Sequence, residues 1–438
     1  MKRNWRVFYV VAIVSLLLLA ACSGGNDEGN SNSNDEEITL KFVHWINEDN
    51  GKWEPLIEKY EEQNPGIKVE SIPLVENMDG EDYFKQLDLM ASTGDDFDIM
   101  MFNNPDDLVK RIDAGLVEPI NSYLDEEGID IDEVYRNSYP PIDGDYYGLP
   151  MKNITRVIMM NKDHLDEAGL EIPTEWTWDD YREYAEALTT EDRYGSYLHT
   201  WHHQFSVLKI LSDPEGSGLL INEDGSSNTD NPLLRESLEL RYDLEQVDQT
   251  SVPFSEILSQ EMDYRQQLFS EEVSMIPTQT YMVSEWGQFT PEFEIAWAPW
   301  PQNELGDTMY SEVGGDLVSI AQASDHKQEA YDFIRWLSTE GIQEQGIWVP
   351  SWKEADLESS LEDIVSDTSN PEANHMESLI YSINSVEPIE TFIPPAFQSE
   401  AVSEFEVEVE KYLLDEQDLD TTMENIHERV QKVVDANQ

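Results

Sequence analysis

The chain has 438 residues, 39% of them hydrophobic and 10% aromatic, with 92 Asp and Glu against 26 Lys and Arg and a formal net charge of −66. That imbalance opposes nucleic-acid binding, because phosphates attract clustered Lys and Arg, and the aromatic content excludes disorder for the body. A single cysteine excludes an intramolecular disulfide, so an apolar core must hold the fold, and a body of about 400 residues implies two domains.

Lys2, Arg3 and Arg6 precede an apolar run over residues 7–21 that only Ser15 interrupts. The run is shorter than the roughly 20 residues a membrane-spanning helix needs, and it ends in small residues as a secretory signal does. Leu19-Ala20-Ala21-Cys22 resembles the bacterial lipobox, which implies cleavage before Cys22 and a lipid on its sulfur. An ordinary signal peptide with an incidental cysteine is the alternative. Residues 1–21 are therefore expected to be a lipoprotein signal peptide, whose loss removes those three cations and takes the net charge to −69. Residues 22–37 are expected to be a lipid-anchored flexible tether, since SGGNDEGNSNSNDEE has no apolar side chain to offset the entropy of ordering. Acidic residues then continue along the whole body, a composition that suits a surface kept soluble in brine and implies a halophilic or alkaliphilic bacterium.

ITLKFVHW, residues 38–45, reads as a first strand, followed by the polar loop INEDNG. Trp53, Leu56, Ile57 and Tyr60 share one helical face before Asn64-Pro65-Gly66 stops the helix. A strand over 67–75, a helix over 82–91, a strand over 97–102 and a helix over 108–113 follow. Such alternation implies parallel strands covered by helices. Ligands of such sheets sit in the loops beyond the carboxyl ends of the strands, which here hold Trp45, Asn47 and Asp49, then Asn77, then Asn103 and Asn104.

Tyr147-Gly148-Leu149-Pro150 closes one apolar unit, and TRVIMMN, 155–161, opens another strand. Asn161-Lys162-Asp163, Ala168-Gly169-Leu170 and the helix start Thr177-Trp178-Asp179 complete a pattern that resembles family 1 extracellular solute-binding proteins of ABC importers, the family of maltose-binding protein. Trp45-Ile46-Asn47 with Asp49 and Gly51 is similar to the opening loop of its maltose-binding branch. LFSEEVSMIPTQTYMVSEW, 268–286, resembles a Phe-x-x-Gly-x-x-Ala-Met segment, with Glu in place of the Gly and Ser274 in place of the Ala. VGGDLVSIAQASDHKQEAYDFIRWL, 313–337, resembles the Gly-Gly crossing strand and its helix. The resemblance spans residues 38–435. It implies an α/β fold of two lobes, each a sheet flanked by helices, joined by a multi-crossing hinge, the type II arrangement of periplasmic binding proteins. The hinge crossings fall near Pro150–Ile154, Gly314–Leu317, and between Asn370 and Pro388. Residues 38–151 and 316–375 would form lobe I, and residues 152–315 and 376–438 lobe II.

The implied function is an extracellular lipoprotein at the cell membrane. It captures a solute, most naturally a sugar or oligosaccharide, between the lobes and delivers it to the permease, acting as a monomer without cofactor, metal or chemistry. Apolar sugar faces stack on Trp and Tyr while hydroxyls bond to amides and carboxylates. The candidate ligand residues are Trp45, Asn47, Asp49, Asn77, Asn103, Asn153, Trp201, Tyr281, Trp286 and Trp348. Each tryptophan could equally belong to the core, as Trp176, Trp178 and Trp336 are expected to. Phosphorylated or acidic ligands would need a cation, and only Lys152 and Arg156 stand near the hinge. His199-x-x-His202-His203 could hold zinc but lacks a companion carboxylate or Cys pattern, so a surface loop is the plainer reading. Asn222-x-Asp224-Gly225 lacks the spacing of a calcium loop and reads as a turn. Two competing classes are a lipid-anchored glycoside hydrolase, which so many carboxylates cannot exclude, and an adhesive lipoprotein.

Overall fold

A computed structural model describes residues 37–437 apart from 77, 138, 214–218, 223, 287, 288 and 390. The expected signal peptide, the expected lipidation site Cys22 and the candidate Asn77 therefore lie outside the described residues, as does all of the expected tether but its last residue, Glu37.

Among the described residues, eleven strands fall into two sheets. The first contains β1 (Ile38–His44), β2 (Ile67–Pro73), β3 (Ile99–Phe102), β4 (Leu149–Pro150) and β10 (Leu317–Ile320), in the order β2-β1-β3-β10-β4. β1 runs parallel to both β2 and β3, and β10 returns antiparallel between β3 and β4. The connecting helices Trp53–Gln63 and Gly80–Thr93 have the amphipathic spacing read from sequence and bury Trp53, Tyr60, Tyr83 and Leu87. The starts of Gly80–Thr93 and Pro105–Asp113 are set by short polar side chains. Asp79 accepts from Asp82 N at 2.8 Å, and Asn104 accepts from Asp107 N at 2.8 Å with Pro105 at the first helical position.

The second sheet centres on β5 (Ile154–Asn161). It is antiparallel to β7 (Val273–Gln279) on one side, and to β8 (Ile295–Pro299) and β9 (Tyr310–Gly314) on the other. β6 (Tyr194–Ser196) and β11 (Glu387–Ile389) add parallel edges. Trp176, Trp178, Trp297 and Trp300 are all buried in this lobe. Their positions beside the sheet follow from indole hydrogen bonds such as Trp176 Nε1 to Pro299 O, 2.8 Å, and Trp178 Nε1 to Ser212 Oγ, 2.9 Å.

Three chain segments meet at the junction. Met151 N donates to Asp316 O at 2.8 Å, Asn153 N to Val349 O at 2.8 Å, and Ser351 N to Met151 O at 2.9 Å. The first two segments pack so closely that a Cβ on Gly315 would lie 1.9 Å from Lys152 O, so glycine is required there by space alone. The third segment is a correction. Ile347 and Trp348 belong to the first core, whereas Val349, Leu361, Ile364 and Ala373 belong to the second. The apolar face of helix Leu357–Ser366 buries against the second sheet, so the chain changes core at Trp348–Val349, ahead of the 370–388 stretch, and Leu361, Ile364 and Ala373 pack in the second core.

Candidate functional site

A cleft of about 1070 Å3 opens beside these crossings, lined by the loops beyond β1 and β3, by residues 199–204, by the segment after β7 and by helix Gln398–Leu413. Of the residues singled out in sequence, Trp45, Asp49, Asn103, Trp201, Tyr281 and Trp348 line it. Asp49, Asn103 and Trp201 are exposed, Trp201 at 44%. Trp45 is buried and packs on Tyr83 with ring centroids 5.3 Å apart, so little of its ring is open to the cleft.

Three candidates are placed elsewhere. INEDNG is not a loop: Glu48–Gly51 forms a helical turn, and Asn47 caps it by accepting from Asn50 N at 3.1 Å. The Asn47 amide is thereby engaged, as its residue type before two acidic residues could have signalled. Trp286 is a core residue, 2% exposed, with Nε1 donating to Met282 O at 2.8 Å. Asn153 is buried in a small recess beside Thr280, Tyr281 and Trp348, where its Oδ1 has no partner among the described residues.

Sequence reasoning missed how the cleft floor is built. Lys152 Nζ lies 2.7 Å from Asp316 Oδ2, with both side chains almost fully buried. The same ammonium sits 3.8 Å from the Trp348 ring centroid. Trp348 Nε1 donates to Glu285 Oε1 at 3.0 Å. The network ties all three crossing segments to the loop after β7. Burial raises the Asp316 carboxyl above its ordinary range, and the Lys152 charge opposes that rise. Tyr281 and Tyr264 share a hydroxyl hydrogen bond of 3.2 Å, and burial pushes both phenols up, so they stay neutral donors.

Carboxylates dominate the walls. Among the described lining residues, eleven Asp and Glu face four cations, Lys52, Lys152, Arg156 and Arg265. Lys52 pairs with Asp367 and Lys152 with Asp316. Arg265 Nε donates to Glu285 O at 2.8 Å and lies over Tyr264. Such a cleft repels anions and offers aromatic faces beside carboxylate, amide and hydroxyl groups.

The three histidines point to separate partners. Trp201 N donates to His199 Nδ1, His202 Nδ1 meets Ser206 Oγ, and His203 Nδ1 meets Glu406 Oε1. Among the described residues no group of three His, Cys, Asp or Glu is arranged to hold a metal ion.

The sequence model of bacterial extracellular solute-binding proteins matches residues 45–344. The chain belongs to this family. A multiple sugar-binding protein of Streptococcus mutans is 23% identical over 350 residues, which are 75% of this solute-binding protein and 77% of that one. An arabinooligosaccharide-binding protein of Halalkalibacterium halodurans is 25% identical over 212 residues, 47% of this chain and 46% of its own. The solved structure of an ABC substrate-binding protein of Listeria monocytogenes, in complex with cycloalternan, superposes with a TM-score of 0.73 at 18% identity. It covers 90% of this chain and 98% of that one, and the likeness establishes the two-lobed fold for this solute-binding protein.

Proposed function

We propose that this solute-binding protein captures a neutral oligosaccharide between its lobes and passes it, as a monomer, to the permease of an ABC importer without altering it. The observation that carries this reading is the cleft itself. Trp201 and Tyr281 bring aromatic side chains from the second lobe, and Asp49 and Asn103 polar ones from the first, to a cavity whose charge excess is acidic. The volume is at the upper end of the roughly 300–1,000 Å3 usual for small-molecule sites, which suits several sugar units. Relatives named for multiple sugars and for arabinooligosaccharides support the same ligand class.

A thermal-shift panel tests it. Arabinotriose, maltotriose, raffinose and cellotriose would be run against glucose 6-phosphate and galacturonic acid. At 100 times its Kd, a ligand adds about 2.7 kcal/mol to stability. At least one neutral oligosaccharide should raise Tm while the anions do not. Stabilisation by the anions alone would contradict the proposal, and release of shorter sugars in the same mixtures would favour a hydrolase.

The chain is proposed to reach the membrane through a lipid on Cys22, the position that the resemblance of Leu19-Ala20-Ala21-Cys22 to the lipobox marks. Cys22→Ser is expected to leave uncleaved precursor or shed protein. Processed, membrane-bound protein carrying that substitution, detected by fractionation and mass spectrometry, would remove the anchor.

A further inference from the structure

The histidine run is the one sequence motif that solute capture leaves without a role, and its first member is built into the cleft wall. The His199 ring lies against Trp201, Phe205 and Tyr264, with centroid separations of 3.9, 5.5 and 4.8 Å. Among the described residues, both hydrogen bonds of the ring end on one nitrogen: Trp201 N donates to Nδ1 at 3.1 Å, and Thr200 Oγ1 approaches the same atom at 3.5 Å. A neutral imidazole that accepts at Nδ1 carries its proton on Nε2.

The position is fixed from behind. Arg241 is fully buried and ion-paired with Glu245 at 2.8 Å. Its Nη1 donates to His199 O at 2.9 Å, to Phe205 O at 3.2 Å and to Ser206 Oγ at 2.8 Å. One guanidinium thus clamps the turn that presents the ring, which is how a binding group is held ready before its ligand arrives. The charged and titratable groups around the ring are of both signs. They are Arg241 with its partner Glu245, Arg265 and Tyr264 from the helix Tyr264–Phe269, and His202 and His203 from its own turn, with Glu406 of Gln398–Leu413 taking His203. Burial first, then Arg241, Arg265 and His203, lowers the His199 pKa to about 3.

We infer that His199 is a specificity-determining residue whose Nε2–H donates a hydrogen bond to a hydroxyl or ring oxygen of the bound sugar, beside a stacking face supplied by Trp201. The inference rests on the neutral-oligosaccharide reading. A donor without charge suits that ligand, because it rewards a well-placed oxygen and gives no general attraction to anions.

The tightest binder among arabinotriose, maltotriose, raffinose and cellotriose serves as the probe. His199→Phe keeps the aromatic contacts and removes the donor, and should weaken binding about tenfold by calorimetry while Tm without sugar stays close to wild type. Wild-type protein labelled with 15N-histidine gives a second readout that needs no variant. Its His199 signals should show a protonated Nε2 that does not titrate between pH 5 and 8, and Nε2 should shift when the sugar is added. Binding of the probe by His199→Phe with wild-type affinity, or an Nε2 signal unmoved by saturating sugar, would overturn the assignment and leave the sugar reading standing. If none of the four sugars binds the wild type, both fall together.

Discussion

Replacing Arg241 with methionine is expected to destabilise the second lobe by about 3–5 kcal/mol in denaturant unfolding, because it strands a buried charge. Arg241 and Glu245 lie four residues apart with both side chains fully buried, joined at 2.8 Å. Glu245 Oε2 also accepts from Phe254 N at 2.9 Å. Burial already raises the Glu245 carboxyl, and Arg241 is the main opposing influence. A carboxyl whose folded pKa lies above its unfolded value penalises the native state above that folded pKa, and the penalty is relieved as pH falls through it. The deficit of Arg241→Met should therefore shrink when unfolding is measured at pH 5 instead of pH 7.5. Adding Glu245→Leu should recover most of the stability, since buried pairs often exchange for apolar residues at small cost. Ligand affinity should not recover, because the clamp on His199 O, Phe205 O and Ser206 Oγ is still gone. A double variant as unstable as the single would show that the pair is not what costs the stability.

Lys152→Met should cost a similar amount, about 3–5 kcal/mol, by leaving Asp316 buried without its partner. It should also weaken sugar binding, which Arg241's partner Glu245 has no direct reason to do. Lys152 holds the Trp348 ring by cation–π contact while Trp348 Nε1 holds Glu285, so removing the ammonium frees a cleft residue from one side. Lys152→Arg keeps the charge and should restore most of the affinity and stability. Unchanged unfolding and calorimetry for Lys152→Met would mean that the pair contributes nothing to the junction.

Much of the first lobe was legible because its elements are locally encoded. Trp53, Leu56, Ile57 and Tyr60 repeat at helical spacing, Asn64-Pro65-Gly66 stops the chain, and IMMF at Ile99–Phe102 is a short apolar run buried on both faces. Periodicity cannot say what a side chain meets across the fold. Trp286 follows a strand as Tyr281 does, yet one is sealed in the core and the other reaches the cleft. Asn47 has the residue type and position of a ligand group, but a nearer use, capping Glu48–Gly51, is written in its own neighbours. The third crossing comes earlier than the sequence implies, because the helix Leu357–Ser366 is amphipathic whichever sheet it covers. The Arg241 clamp on His199 and the Lys152–Asp316 pair join residues distant in sequence, and no local pattern announces them.

The central claim is that one ligand is held by both lobes, and calorimetric titration of two single variants tests it most directly. Asp49 and Trp201 stand on different lobes, line the same cleft and are both exposed, so Asp49→Ala and Trp201→Ala should fold with a nearly unchanged Tm. Loss of a hydrogen bond to a charged group is worth about 1.5–3 kcal/mol, which is roughly 10- to 150-fold in Kd, and loss of a stacking ring should be comparable. Each variant is expected to bind the wild type's best neutral oligosaccharide at least about tenfold more weakly. Wild-type affinity in both would contradict a cleft ligand, and wild-type affinity in one alone would confine the ligand to a single lobe.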